Sequence, residues 1–140
     1  MDSSALVKAF LEEAGREVVV TLFDEAPVAA SPLGYVECQS AFSRLFREGY
    51  LAQRSVRRAR RELDARWGDI ASIEFDDALR LAAGELTKAH LLRGSDAVHL
   101  ASAFEFAGRK PAEVRFACWD WRLWDAAHAE GFDMVPTDRP

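Results

Sequence analysis

The stretch Gly94-Ser95-Asp96-Ala97-Val98-His99-Leu100-Ala101-Ser102-Ala103 constrains this chain more than any other. It is a short polar entry into an almost continuously apolar helix, in which Ala97, Val98, Leu100, Ala101 and Phe104 leave little polar face, so the helix should be largely buried. Ser95 is suited to cap it, because its hydroxyl can accept from one of the first free backbone N–H groups. Asp96 then falls in the first turn, where free N–H groups and the helix dipole favour negative charge. A carboxylate at the rim of a buried helix is either a structural cap or a placed catalytic group. Three other acidic residues in similar settings bear on that choice.

A chain of 140 residues can enclose one well-formed core, so residues 1–140 are expected to form a single domain. With 49% hydrophobic and 29% charged residues and no low-complexity tract, the composition is that of a folded soluble protein. No apolar run approaches the roughly 20 residues that span a bilayer. The N-terminus lacks the basic-then-apolar order of a secretory signal. Cys38 and Cys118 stand far apart in no metal-type spacing and are expected to be buried free thiols in a reducing cytoplasm. The net charge of −5 argues against a protein that coats nucleic acid by bulk charge. The basic residues are nevertheless uneven. Arg44, Arg47, Arg54, Arg57, Arg58, Arg60, Arg61 and Arg66 share one middle segment, as a solvated helix face or as a phosphate- or partner-contacting surface.

Taken in order, Asp2 or Ser3 caps a short amphipathic helix expected to end near Glu13 to Gly15. A second helix covers 17–25 and stops at Pro27, after which Val28-Ala29-Ala30 reads as a short buried strand. Ser31-Pro32 opens a helix that runs to Gly49. Within its apolar first half lies Glu37, a carboxylate that needs a partner there. Residues 53–67 form a basic helix, 70–75 a strand or extended connection, and Asp76 caps a helix to about His90. The segment 114–118 has the length and composition of a buried strand ending at Trp119-Asp120. A helix from Trp121 or Arg122 to Glu130 follows, and then a last short strand near Met134 to Pro136. Strands alternating with helices imply an α/β sandwich around a parallel sheet, with the functional crevice at the carboxyl ends of the strands.

Asp2 stands where a strand would hand over to the first helix, and Asp120 at the carboxyl end of a strand. Asp96 and Glu37 lie near helix starts, which can point at the same end of the sheet. Carboxylates converging on one pocket repel and raise one another's pKa unless a cation is present. Mg²⁺ or Mn²⁺ answers that need, since hard cations take oxygen ligands and Mg²⁺ keeps several waters. One such water can attack a phosphodiester.

These residues also carry a family resemblance. Asp2-Ser3-Ser4-Ala5-Leu6-Val7-Lys8 resembles the opening motif of PIN-domain proteins, in particular the VapC-type toxins of type II toxin–antitoxin pairs. Tyr35-Val36-Glu37 is similar to the second acidic motif, Leu92-Arg93 followed by 94–103 to the third, and Asp120-Trp121-Arg122-Leu123 with Ala126, Ala127 and Gly131 to the last. The resemblance implies a three-layer α/β/α sandwich with a central, mainly parallel sheet and a Mg²⁺- or Mn²⁺-dependent endoribonuclease. Carried over motif by motif, Asp2, Glu37, Asp96 and Asp120 are the acidic site residues, with Asp2, Asp96 and Asp120 as direct metal ligands. Ser4 matches the hydroxyl residue that supports the first Asp. Ser4 and Arg93 are expected near substrate, Arg93 as a contact to the scissile phosphate. An RNA substrate, a cognate antitoxin, a homodimer and a cytoplasmic location are the implied context. A catalytically weak PIN-like module that binds RNA or antitoxin is the alternative.

Two departures from the family pattern matter. Only Met1 precedes Asp2, where the family has a short apolar strand, so the first strand is expected to be truncated and to leave a gap between its neighbours. Cys118 stands where the family has Thr or Ser, and a thiol is the poorer hydrogen-bond donor. His99 is expected as a packed helix residue or as a group orienting Asp96, and Trp119, Trp121 and Trp124 as packing residues or stacking platforms for RNA bases. A phosphoacceptor receiver-type domain also gathers acids at sheet ends, but it needs paired acids after its first strand and a lysine after a late strand, and this chain has neither.

Overall fold

The computed structural model describes residues 1–108 and 110–140. Asp2 caps helix α1 (Ser3–Phe10), its carboxylate accepting from the Ala5 N–H at 3.0 Å. This helix is shorter than the sequence pattern predicts, because Leu11 adopts an extended conformation and turns the chain before Gly15. Gly15, at φ 89°, then opens α2 (Arg16–Glu25). Strand β1 (Val28–Ala30) leads to Ser31, which caps α3 (Pro32–Arg47), with Pro32 at the position where a missing N–H costs nothing. Helix α4 (Gln53–Trp67) returns antiparallel to α3 and feeds β2 (Ile70–Ser72).

Asp76 caps α5 (Asp77–His90) through the Leu79 N–H at 2.8 Å. Leu91 holds a left-handed conformation (φ 53°) that reverses the chain into α6 (Gly94–Ala107). Helix α6 therefore starts earlier than expected. Arg93 occupies its N-cap position without a side-chain cap, and Ser95 lies inside the first turn instead of capping it. A one-turn 3₁₀ helix (Pro111–Glu113) precedes β3 (Arg115–Ala117). Asp120 caps α7 (Trp121–Ala129), and β4 (Asp133–Val135) completes the described elements.

Every strand pairing is parallel, as the α/β reading expects. β1 pairs with β2, with Val28 opposite Ile70, and β3 pairs with β4, with Arg115 opposite Asp133. The sheet is split into these two halves. Between them runs the start of the chain: the Met1 ammonium donates to the Ala29 carbonyl at 2.8 Å and the Asp2 N–H donates to the Ala117 carbonyl at 3.1 Å. Next to this bridge lies a cavity of about 270 Å³, bordered by Met1, Val28, Ala29, Phe116, Ala117 and His99. The cavity lies between the two halves of the sheet.

Two hydrophobic clusters hold the helices in place. One gathers α1 to α4 with β1 and β2 around Leu6, Val19, Phe42 and Leu63; the other gathers α5 to α7 with β3 and β4 around Leu100, Phe116 and Leu123. Gly34 lets α3 approach α1 closely, since a Cβ there would stand 2.8 Å from Leu6 Cδ1. That approach sets the first turns of α3, and with them Glu37, against the start of α1. Among the described residues no helix is long and apolar enough to cross a membrane.

The split sheet makes a measurable prediction. Burial pushes the Met1 amine below its ordinary pKa, against the opposing pull of Asp2 and Cys118. Adding three or four apolar residues ahead of Met1 replaces this amine with an amide and fills the gap with strand. The melting temperature should rise by at least about 4 °C, the shift that about 1 kcal/mol produces in a domain of this size. An unchanged melting temperature would show that the gap costs nothing.

Candidate active site

Asp2 is the most constrained of the four acids. Its carboxylate lies beside β3 at the carboxyl end of the strands and is 3% exposed as a residue. Ser4 Oγ stands 2.9 and 2.8 Å from its two oxygens and in turn accepts the Trp119 N–H at 2.7 Å. The hydroxyl expected near substrate is thus turned inward, where it ties Asp2 to the segment that follows β3. Cys118 completes the clamp: its thiol reaches Asp2 Oδ2 at 3.5 Å and the Asp120 carbonyl at 3.3 Å. Burial, followed by the Asp2 charge, pushes that thiol well above its ordinary pKa, so it stays a neutral, weak donor. Cys38, buried near Asp2 and Glu37, is pushed up to about 12 for the same reasons. Both cysteines are free.

Asp120 follows two residues after Cys118 and caps α7. Its Oδ1 accepts the Arg122 and Leu123 N–H groups at 2.9 and 3.2 Å. Asp96 lies in the first turn of α6, as the sequence predicts. Burial pushes its carboxyl above the ordinary range, and the charges of Asp120 and Asp2 push the same way, while Arg93 and His99 pull it down. That pattern of influences brings Asp2, Asp96 and Asp120 into one electrostatic neighbourhood. Arg93 flanks it from the exposed N-cap of α6, in no ion pair among the described residues.

Glu37 and His99 form a pair that the sequence reading did not anticipate. His99 Nε2 lies 2.7 Å from Glu37 Oε2, joining α3 to α6 across 62 residues. The imidazole is 2% exposed and its Nδ1 is buried without a partner. A proton on Nε2 lets the ring donate to the Glu37 carboxylate. Burial raises the Glu37 carboxyl, but hydrogen bonds from His99, Ser3 and Ser95 outweigh it and hold the group below its usual value. The signal was in the sequence as two halves: a carboxylate on an apolar face needing a partner, and a histidine on a buried helix. Nothing in their spacing joined them.

Of the three tryptophans, Trp124 is buried, with Nε1 on the Pro136 carbonyl at 2.9 Å and its ring stacked on His128. Trp119 is partly buried under Lys8. Trp121 is exposed between the guanidinium groups of Arg122 and Arg139.

The donor set suits a hard divalent cation in charge and atom type: it is all carboxylate oxygen, and Asp96, raised first by burial and then by the Asp120 charge, would be relieved by a cation. Among the described residues, no three His, Cys, Asp or Glu side chains stand close enough to form a ready-made coordination set. Asp120 Oδ2 and both Asp96 oxygens, with no hydrogen-bond partner among the described residues, are the oxygens left to close around one.

The Glu37–His99 pair can be tested alone. Because His99 heads the groups that lower the Glu37 carboxyl, His99→Leu should move it upward in a carbon NMR titration, and His99→Gln, which keeps a donor, should move it less. No movement in either variant would mean the 2.7 Å contact does not hold the charge. In the wild type the depressed value makes the pair's contribution to stability full above pH 4.5, and that contribution is lost as the pH falls through the lowered value.

Comparison with known proteins places the chain in a family. The PIN domain family model matches residues 1–109. Two proteins of Mycobacterium tuberculosis, Ribonuclease VapC45 of strain CDC 1551 / Oshkosh and Ribonuclease VapC49 of strain ATCC 25618 / H37Rv, are each 37% identical over 136 residues, covering 96% of this chain and 92% of theirs. With the motif order and the parallel strands, these matches establish that the chain belongs to the PIN-domain family, as a VapC-type member.

Proposed function

We propose that this chain is the toxin of a toxin–antitoxin pair, a single-domain endoribonuclease that hydrolyses RNA phosphodiester bonds with Mg²⁺ or Mn²⁺. The observation that carries this reading is the placement of three acids at helix N-termini: Asp2, clamped by Ser4 and bonded to the end of β3, Asp120 just past that strand at the start of α7, and Asp96 in the first turn of α6, within electrostatic reach of both. The relatives named as ribonucleases support it.

Asp2, Asp96 and Asp120 would hold the cation. When bound, it lowers the pKa of a coordinated water and offsets charge on a phosphate oxygen. Asp2 is kept in a fixed orientation by Ser4 and the Ala5 N–H, so one ligand is preorganised. Asp120 is oriented by two backbone donors on Oδ1, which leaves Oδ2 for the site. Glu37, kept anionic by its donors, accepts a hydrogen bond or a proton from the attacking water. Arg93, on the open side of Asp96, binds the phosphate. An antitoxin restrains the protein by covering this end of the strands, and the working form is a homodimer in the cytoplasm.

The test is cleavage of total RNA by the purified protein with Mn²⁺ or Mg²⁺, beside an EDTA control and Asp96→Asn. Cutting should require the metal and fall at least about 100-fold in the variant, the loss typical of removing one preorganised electrostatic group. Asp96→Asn should keep its melting temperature within a few degrees, since the residue is only half-buried. Retained cutting by Asp96→Asn would overturn the site. No cutting by the wild type, with no Mn²⁺ binding by calorimetry, would instead favour a catalytically weak module that binds RNA or antitoxin.

A further inference from the structure

Residues 44–61 hold seven arginines and a single acid, Glu48, in a chain whose net charge is −5. These residues form the far end of the α3–α4 hairpin. Helix α4 buries Val56, Ala59 and Leu63, which places Arg54, Arg57, Arg58 and Arg61 on the opposite, solvent face. Helix α3 buries Gly34, Cys38 and Phe42, which leaves Arg44 and Arg47 outside. Arg58 is neutralised by Glu12 and Glu62, and Arg60 is turned inward to Ser43 Oγ. Arg44, Arg47, Arg54, Arg57 and Arg61 are all exposed and take part in no ion pair among the described residues. Two large aromatic side chains stand among them at the tip, Phe46 at 48% and Tyr50 at 76% exposure.

Solubility does not account for this pattern. A solvated helix face on an acidic protein gains by interspersing both signs, as Arg80, Arg115 and Arg139 do elsewhere, each on a carboxylate. A second copy of the chain is a poor occupant, because a two-fold contact would set one guanidinium cluster against another. Guanidinium groups beside exposed aromatic rings match a polymer of phosphates carrying flat bases, since arginine forks bind phosphate oxygens and unpaired bases stack on the rings. The patch also lies in line with the acids. Glu37 and Arg44 are seven residues apart on α3 and so share one stripe of the helix, about 10 Å apart along its axis.

We propose that the outer face and tip of the α3–α4 hairpin form the docking surface for folded RNA, which holds the sugar–phosphate backbone on Arg44, Arg47, Arg54, Arg57 and Arg61 while the strand to be cut reaches the carboxylates. This rests on the ribonuclease reading and adds to it the part of the molecule that selects a folded substrate. The acidic remainder of the surface repels RNA, so the arginine face also sets the direction of approach.

The test is binding without cutting. In the Asp96→Asn protein, the affinity for fluorescently labelled bulk transfer RNA is measured by anisotropy over a series of salt concentrations. The triple variant Arg54→Gln, Arg57→Gln, Arg61→Gln is compared with a control triple that removes the same charge elsewhere, Arg80→Gln, Lys88→Gln, Lys110→Gln. Tyr50→Ala serves as a separate, uncharged probe. The hairpin triple should weaken binding at least about tenfold and flatten the slope of log K against log salt by roughly two to three, one per lost phosphate contact. The control triple should change the slope by less than one. Tyr50→Ala should weaken binding with the slope unchanged.

Equal behaviour of the two triples would overturn the proposal, as would no binding by the Asp96→Asn parent at low salt. Displacement of a polyglutamate peptide from the hairpin face, with RNA binding intact in the triple, would assign the face to an acidic protein partner and overturn it as well. None of these readouts uses cleavage, so they fail separately from the metal-dependent cutting that tests the nuclease itself.

Discussion

Two backbone hydrogen bonds join the halves of this protein, and the site depends on both. The Met1 ammonium donates to Ala29 in β1 and the Asp2 N–H donates to Ala117 in β3. Among the described residues no strand of the β1–β2 pair is hydrogen-bonded to one of the β3–β4 pair, and helices such as α6, packed against β1, span the two. The same two residues put the first acid in place. Once the Asp2 N–H is held by β3, its carboxylate falls beside Ser4, Cys118 and the start of α1. One residue thereby acts as both strand partner and helix cap, which explains why almost all of its surface is buried.

Gathering carboxylates is costly, and the fold reduces that cost with helix N-termini. Asp2 caps α1, Asp120 caps α7 and Asp96 occupies the first turn of α6, so each negative charge faces free N–H groups and the positive end of a helix dipole. Glu37 is stabilised differently, by the side chains of His99, Ser3 and Ser95. Residual repulsion shows at Asp96, the least hydrogen-bonded of the four. Three acids are thus stabilised by backbone N–H groups and helix ends, and the fourth by side chains. Cys118 fits the same economy, since a neutral thiol beside Asp2 adds no further negative charge.

Much of the fold was legible along the chain, because helix starts are local. Asp76 was readable as a cap and Ser31-Pro32 as a helix start from the residues beside them, and the basic helix at 53–67 was readable with its bounds. The errors are also local in kind. The first helix stops at Phe10, because Leu11 is drawn into the α1–α4 core in an extended form, and tertiary burial of that side chain outweighs helix propensity. Ser95 does not cap α6, because the left-handed turn at Leu91 starts the helix earlier, and a positive φ at a leucine has no sequence signature.

By itself the sequence determined the family and the parallel α/β class, since each rests on residue types at short spacings: a carboxylate before a helix, a strand before a carboxylate. Only the tertiary structure decided which groups hold those acids. The His99–Glu37 contact spans 62 residues and the Cys118–Asp2 contact 116, and no periodicity links positions so far apart. The same holds for the arginines of the α3–α4 hairpin. Their number was visible in the chain, but which of them are neutralised by carboxylates from other elements depends on how the helices pack, as Glu12 on Arg58 shows. Short-range chemistry specifies elements and their ends; long-range packing decides which charges are paired and which are left for a ligand.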